Sequence, residues 1–201
     1  MLIFMEYCPE GTIEALIMST EEGLEEVIVR RYTKQLVEAV ACLHEHGVVH
    51  RDIKGANIFL TQEMKSIKLG DFGCAVKIKS HSTMPGELQG FVGTQAYMAP
   101  EVFTRNMSEG HGRASDIWSV ACVVLEMVQG ERPWADLKSN YQIMFKVPRG
   151  NVSHLYTVIV KLRLEWASHH KYQIFSLKKG KTSLVNVLCI FQRTEPVHKI
   201  F

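Results

Sequence analysis

The sequence has 201 residues, of which 46% are hydrophobic and 22% charged, and its formal net charge is +2. A chain of this length can bury one domain core, and so small a net charge gives no electrostatic basis for binding nucleic acid or a membrane surface. No apolar run reaches the roughly 18–20 residues of a membrane span, because the longest is interrupted by Glu126. The five cysteines are scattered and form no C-x-x-C pair, which favours reduced thiols and a cytoplasmic location over disulfides or a zinc site.

The first part of the chain predicts a strand, a turn and a long helix. Residues 2–5 (LIFM) are typical of a short buried strand, and residues 9–11 (PEG) of a turn. From Val29 to Leu43 apolar residues recur every three or four positions, which predicts one face of a helix that ends at Gly47.

The middle of the chain predicts short strands separated by polar loops. Residues 58–60 and 67–69 predict two brief strands around a polar turn, followed at 71–101 by a long irregular segment of the kind that is usually functional. Residues 114–116 predict an N-terminal cap for an apolar core helix over 117–128, and residues 139–147 predict another short helix. After Val147 the periodicity is lost, so we place a domain boundary near residue 148.

Three motifs carry the chemistry: HRDIKGAN at 50–57, DFG at 71–73 and GTQAYMAPE at 93–101. Asp52 and Asp71, two acids, together with the amide of Asn57 can place a proton acceptor and two Mg²⁺ ligands around a transferring phosphoryl group. An isolated HRD string is more often an ordinary polar loop. Three motifs in order and register make chance a poor explanation.

The three motifs match H-R-D-x-x-x-x-N, D-F-G and A-P-E in order and distance, so the chain resembles the large lobe of a eukaryotic protein kinase. Their wording, with TMPGE at 83–87 and GERPW at 130–134, is similar to the MAP kinase kinase kinase family over residues 2–147. The resemblance implies an α+β, protein-kinase-like fold, mainly the helical large lobe with a remnant hinge strand. It also implies ATP-dependent phosphorylation of serine or threonine on proteins, here MAP kinase kinases, in a MAPK cascade.

The resemblance assigns catalytic roles to four residues. Asp52 accepts the proton of the substrate hydroxyl, Lys54 neutralises charge on the γ-phosphate, Asn57 binds Mg²⁺, and Thr94 bridges Asp52 and Lys54 to position substrate. Lys54 and Thr94 also carry the serine/threonine specificity that the resemblance implies.

The ATP site is assigned by the same resemblance. Met5 corresponds to the gatekeeper, the backbones of Glu6 and Cys8 to the adenine-binding hinge, and Phe59 to the residue beneath the adenine ring. By the same resemblance, Asp71 binds Mg²⁺ together with Asn57. As a motif the hinge is weak, because residues 2–5 are equally a plain core strand.

Two further assignments concern regulation and structure. Arg51 beside Asp52 is typical of kinases that are regulated by activation-loop phosphorylation, and the candidate acceptors are Ser80, Ser82 and Thr83. His50 is expected to be structural, packing on Phe72 and hydrogen-bonding backbone. Asp116, in DIWS at 116–119, resembles the buried aspartate that holds the backbone of the catalytic loop.

The expected layout is a hinge-strand remnant at 1–8, a kinase large lobe at 9–147 and a divergent, poorly ordered tail at 148–201. The Gly-rich loop, the V-A-I-K-type lysine and the helix-C glutamate of the family do not precede Met1. We therefore expect little activity from this chain alone. A non-catalytic docking fragment and an unstable truncated product stay open as alternatives.

Overall fold

The computed structural model describes residues 4–78, 92–103 and 112–148. In these ranges short strands lie between helices, which confirms the α+β class. The elements are α1 (Ile13–Met18), α2 (Glu26–Glu45), β1 (Val48–Val49), β2 (Ile58–Thr61), β3 (Ser66–Leu69), β4 (Val76–Lys77), α3 (Pro100–Phe103), α4 (Arg113–Gln129) and α5 (Asn140–Lys146).

The core forms where α2 packs against α4. Helix α2 buries the stripe that its periodicity predicts, which includes Val29, Tyr32, Leu36 and Val40. Helix α4 is buried around nearly its whole circumference from residue 119 to residue 127, as expected of a helix whose sequence is almost entirely apolar. The two helices therefore form a rigid base for the loops that follow β1 and β3.

Two small antiparallel sheets fix those loops relative to each other. Strand β2 pairs with β3, with Ile58 opposite Leu69, and β1 pairs with β4, with Val48 opposite Lys77. The β2–β3 pair was predicted from sequence and is confirmed. Because β1 precedes β2 and β4 follows β3, the connecting residues 50–57 and 70–75 emerge next to each other.

Helix ends follow capping chemistry at three places. The Ser139 hydroxyl accepts from the Gln142 amide at the start of α5, and the Thr12 hydroxyl accepts from the Ala15 amide at the start of α1. Helix α4 ends at Gly130, whose φ of +74° is easily adopted only by glycine. The helix predicted over residues 139–147 is confirmed.

The strand predicted at residues 2–5 is wrong in the part that the structure describes. Phe4 and Met5 have no strand pairing and are 93% and 85% exposed. A strand needs a hydrogen-bonded neighbour to form, and the four described strands pair with one another rather than with residues 4–5. Leu2 and Ile3 lie outside the described residues.

The predicted start of the central helix is also wrong. Helix α4 begins at Arg113 rather than near residue 117, and its cap is Gly112. The Asp116 side chain is not a cap, because its carboxylate is already occupied by backbone amides of the loop at 50–57. Residues 149–201 lie outside the described residues, so the poor packing expected there stays a prediction.

Candidate active site

The loop at 50–57 is held from below by two buried side chains. His50 has no exposed surface, its ring lies 4.9 Å from that of Phe72, and its Nε2 is 3.1 Å from the Gly70 carbonyl oxygen. Asp116 accepts from the His50 amide at 2.9 Å and from the Arg51 amide at 2.8 Å. These contacts agree with the structural role expected of His50.

Asp52 lies at the centre of a hydrogen-bond network. Its Oδ1 accepts from the Thr94 amide at 2.8 Å and from the Thr94 hydroxyl at 2.7 Å. Its Oδ2 accepts from Nζ of Lys54 at 2.9 Å and from Nδ2 of Asn57 at 3.2 Å. Burial opposes ionisation of Asp52, but the hydrogen bonds from Lys54 and Thr94 outweigh it and lower the pKa. Asp52 is therefore ionised at neutral pH, which is the state that a proton acceptor requires.

Lys54 and Thr94 close this network into a triangle. Nζ of Lys54 donates to Oγ1 of Thr94 at 2.8 Å as well as to Asp52. The triangle joins the 50–57 loop to the 93–101 segment, which are far apart in sequence. The contacts expected of Thr94 are present, and its part in catalysis stays a prediction.

A glycine allows this close approach of the two segments. Gly93 has a φ of +110°, and a Cβ added to it would lie 2.4 Å from the Arg51 carbonyl oxygen. No real Cβ tolerates such a contact with backbone, so any larger residue would push Thr94 away from Asp52.

Asn57 and Asp71 supply oxygen atoms of the kind that Mg²⁺ prefers. Nδ2 of Asn57 donates to the Asp52 carbonyl oxygen at 2.8 Å, which leaves the amide oxygen as a ligand. Asp71 is exposed, has a φ of +58°, and accepts from the Gly73 amide at 3.3 Å. Mg²⁺ in phosphotransfer sites commonly uses one or two protein ligands and completes its shell with phosphate and water. The residues present therefore fit such an ion, although the described part of the chain contains no cluster of three His, Cys, Asp or Glu ligands.

Of the four residues assigned to regulation, the structure describes only Arg51. Nε of Arg51 donates to the Cys74 carbonyl oxygen at 2.6 Å, and Arg51 has a φ of +68°. Ser80, Ser82 and Thr83 lie outside the described residues. A phosphate-binding role of Arg51 stays a prediction.

The residues assigned to the hinge differ in their burial and in their contacts. The Glu6 carboxylate pairs with Nζ of Lys68 at 2.6 and 2.7 Å, and Lys68 lies opposite Phe59 in the β2–β3 pair. The Leu60 amide donates to the Gly11 carbonyl oxygen, so this segment runs along the hairpin that carries Phe59. Cys8 is half-buried, whereas Met5 lies at the surface. The gatekeeper role of Met5 thus has no supporting contact in the described residues.

Sequence reasoning missed several residues around the site. A small cavity beside Asp52 is also lined by Tyr97, Met98, Val102, Ser115 and Ser119. Tyr97 and Met98 belong to the GTQAYMAPE motif, which could have identified them. His44 on α2 and Glu126 on α4 lie under the loop, and neither belongs to any of the three motifs.

Comparison with known proteins agrees with this geometry. The family model of the protein kinase domain matches residues 1–192, which extends past the boundary predicted near 148. Mitogen-activated protein kinase kinase kinase 4 of Mus musculus is 60% identical over 152 residues, 75% of this chain and 9% of that protein.

More distant relatives carry similar names. MAP kinase kinase kinase SSK2 of Saccharomyces cerevisiae is 39% identical over 180 aligned positions, covering 74% of this chain and 11% of that protein. Mitogen-activated protein kinase kinase kinase A of Dictyostelium discoideum is 38% identical over 149 residues, covering 74% of this chain and 15% of that protein. The chain thus spans at most about a sixth of these three relatives. No helix in the described ranges is long and apolar enough to cross a membrane. Since the family model covers most of the sequence and the motifs converge on Asp52, the chain belongs to the protein kinase domain family.

Proposed function

We propose that this chain carries the phosphotransfer site of a serine/threonine protein kinase. The observation that carries the proposal is the triangle of Asp52, Lys54 and Thr94, in which an ionised carboxylate is held by an ammonium group and a hydroxyl group. A carboxylate that is fixed and ionised can accept the proton of a substrate hydroxyl and hold that oxygen in line with the bond to be broken.

The neighbouring residues perform complementary tasks. The ammonium group of Lys54 lies within 3 Å of Asp52, where it can stabilise negative charge that develops on a transferred phosphoryl group. Asn57 and Asp71 would hold Mg²⁺, which when bound to ATP neutralises the phosphate oxygens. The hinge around Glu6 and Cys8, with Phe59 beneath, would take the adenine.

The substrates we propose are MAP kinase kinases, in a cytoplasmic MAPK cascade. Support comes from the 60% identity to mitogen-activated protein kinase kinase kinase 4 and from the shared name of the more distant relatives. We also propose the layout given by sequence, with the kinase large lobe at 9–147.

Transfer of radiolabelled γ-phosphate from Mg·ATP to a MAP kinase kinase tests the proposal. Transfer should be weak, as expected of this chain alone, with label on serine and threonine, and its rate should fall by about 10²–10⁴ in Asp52→Asn, which keeps the shape but removes the proton acceptor. Asp136→Asn is the matched control, because Asp136 is an exposed aspartate that pairs only with Lys146 among the bonds observed. Equal transfer by Asp52→Asn, or label confined to tyrosine, would contradict the proposed function.

A further inference from the structure

The turn between β2 and β3 has a backbone conformation that residues with a Cβ rarely adopt. Gln62, Glu63 and Met64 have φ angles of +55°, +58° and +61°, so three consecutive residues other than glycine lie in the left-handed region. Such a conformation persists only where the surroundings determine it strongly. Successive backbone amides in a turn of this kind can form a concavity that binds an anion.

The Glu10 carboxylate supplies the anion in this turn. Its Oε1 accepts from the Glu63 amide at 2.9 Å, and its Oε2 accepts from the Met64 amide at 2.6 Å. Hydrogen bonds to a charged carboxylate are stronger than those between neutral groups. Glu10 belongs to residues 6–12, the hinge segment that leads to α1, so these bonds join parts of the chain that are 53 and 54 positions apart.

Helix α2 holds the other side of the same turn. The Tyr32 hydroxyl donates to the Met64 carbonyl oxygen at 2.6 Å, and Nε2 of Gln35 donates to the Lys65 carbonyl oxygen at 3.2 Å. Oε1 of Gln35 also accepts from the Ile67 amide at 2.8 Å. Since Tyr32 belongs to the buried stripe of α2, the turn is attached to the core independently of the carboxylate.

Other contacts between the hinge segment and the hairpin lie away from the turn. The Leu60 amide donates to the Gly11 carbonyl oxygen at 2.9 Å. The Glu6 carboxylate reaches Lys68, which lies opposite Phe59, and an exposed ion pair of this kind contributes little. At the rise of a strand, three residues separate this level from the turn by about 10 Å. The carboxylate therefore attaches the hinge segment at a second, distant point of the hairpin.

We propose that Glu10 is a positioning residue of the adenine site: by binding the turn at 62–64 it sets the angle between the hinge segment and the hairpin, and with it the space between the hinge backbone and Phe59. Two points of attachment fix such an angle, whereas a single point leaves it free to change. This inference rests on the proposed function, in which the adenine lies between the hinge and Phe59. The alternative is that Glu10 only stabilises the turn.

Two substitutions of Glu10 separate these roles. Glu10→Ala removes both acceptor oxygens, whereas Glu10→Gln keeps one acceptor oxygen in a side chain of the same length. Glu38→Ala is the matched control, because it also removes one negative charge from an exposed glutamate, here on α2.

The first measurement is residue-resolved amide hydrogen exchange on the 201-residue chain. In Glu10→Ala we expect exchange at Glu63 and Met64 to be faster by about tenfold, because both amides lose a charged acceptor, with Leu36 of α2 unchanged. In Glu10→Gln one of the two amides should keep the protection of the parent chain. Glu38→Ala should exchange like the parent chain at both positions.

The second measurement is the affinity for adenosine, by isothermal titration calorimetry. Adenosine has no phosphate, so it reports on the hinge and Phe59 without Mg²⁺. If the hinge keeps the competent angle for a tenth of the time in Glu10→Ala, the Kd for adenosine should rise about tenfold, whereas Glu38→Ala should leave it unchanged. With a MAP kinase kinase as substrate, KM for ATP should rise by a similar factor, and kcat at saturating ATP should not change.

Unchanged exchange at Glu63 and Met64 in Glu10→Ala would overturn the proposal. So would faster exchange with unchanged affinity for adenosine, because that result assigns Glu10 to the turn alone, and so would a parent chain that binds no adenosine. A fall in kcat with an unchanged KM for ATP would also contradict it. If Asp52→Asn leaves phosphotransfer unchanged while Glu10→Ala still weakens adenosine binding, the proposed function fails and the role of Glu10 in the adenine site stands.

Discussion

Asp52 illustrates how single contacts decide the ionisation state of a buried carboxyl group. Burial alone would favour its neutral form, yet the donors on Lys54 and Thr94 lower its pKa. Two of those donors belong to Thr94, whose amide and hydroxyl both bind Oδ1. The hydroxyl can be removed by substitution while the amide remains, which isolates its contribution.

Replacing Thr94 with Val should raise the pKa of Asp52 and weaken phosphotransfer. Asp52 must be ionised to accept a proton, so activity is lost as the pH falls through its pKa. Without the Thr94 hydroxyl that loss should occur at higher pH, and kcat should fall by about tenfold or more. The pH dependence of kcat/KM measures this effect. Thr94→Ser keeps the hydroxyl and should retain the parent profile; an acidic limb that stays in place in Thr94→Val would refute the assignment.

Gly93 is a second position where a single added atom should change the stability of the chain and its phosphotransfer. We expect Gly93→Ala to reduce the free energy of unfolding by about 2 kcal/mol or more and to suppress transfer, because the new Cβ would meet the Arg51 carbonyl oxygen at 2.4 Å. Denaturant titration and the transfer assay measure the two effects.

Gly11→Ala provides the control for backbone strain alone. Gly11 also has a positive φ, of +81°, but the nearest atom to its added Cβ is 3.8 Å away. It should lose only about 1–2 kcal/mol, the cost of the left-handed conformation. Equal losses in stability and in transfer for the two variants would show that the close approach at Gly93 is unimportant.

At the scale of the elements, periodicity predicted those that bury a regular face. Helix α2 and the β2–β3 pair follow from the spacing of apolar residues, because each presents one side to the core. The start of α4 was missed because Asp116 has the chemistry of a cap. The kinase resemblance also assigned Asp116 to the backbone of the loop at 50–57, and there it binds the His50 amide, 66 positions away. The strand predicted at residues 2–5 is wrong for Phe4 and Met5, because the local sequence pattern does not show whether a strand lies beside it.

Helix α4 also carries a buried acid that links stability to pH. Burial raises the pKa of Glu126 from its ordinary 4.5 to about 7, Glu14 adds to the rise, and Tyr97, Arg132 and the Gly55 amide oppose it. Between these two values the folded chain keeps a proton that the unfolded chain has lost. The stability from this group is therefore complete below pH 4.5 and is lost as the pH rises through about 7.

We expect Glu126→Gln to remove this pH dependence. In the parent chain the free energy of unfolding should fall by up to about 3 kcal/mol across that window, and the difference between parent and variant isolates Glu126 from the histidines. Denaturant titrations at several pH values measure the slope. Glu38→Gln, at an exposed position on α2, should leave it unaltered. An identical slope in Glu126→Gln would mean that Glu126 does not titrate in this range.

At the scale of the whole molecule, the sequence motifs identified the residues of the candidate site, and the packing of the fold added the residues that contact them from other elements. Asp52, Lys54 and Thr94 meet as the kinase resemblance implies, although 40 positions separate Lys54 from Thr94. His44 could not be found this way, because its contact with Asp116 spans 72 positions and belongs to no motif. Such residues can be identified only when the packing of α2 against α4 is known.

A nucleotide site built from separate segments should couple binding to the stability of the entire domain. A ligand that binds only the folded chain stabilises it by about 2.7 kcal/mol at a hundred times its dissociation constant. For a domain of this size each kcal/mol raises the melting temperature by about 2–4 °C. Asp71 lies on the 70–75 connection and Asn57 on the neighbouring loop, so Mg²⁺ held between them would act on both.

We therefore expect Mg·ATP to raise the melting temperature of the 201-residue chain by several degrees, roughly 5–10 °C near saturation. Asp71→Asn should lose most of that shift, because it weakens the charge that holds Mg²⁺, while keeping the melting temperature of the parent chain without ligand. Asp136→Asn, an exposed aspartate outside the site, should keep the full shift. Differential scanning calorimetry with Mg·ATP, and with ATP plus a chelator, separates the metal-dependent part. A shift of equal size in Asp71→Asn, or one that survives chelation, would remove Asp71 from the Mg²⁺ site and leave nucleotide binding to the hinge alone.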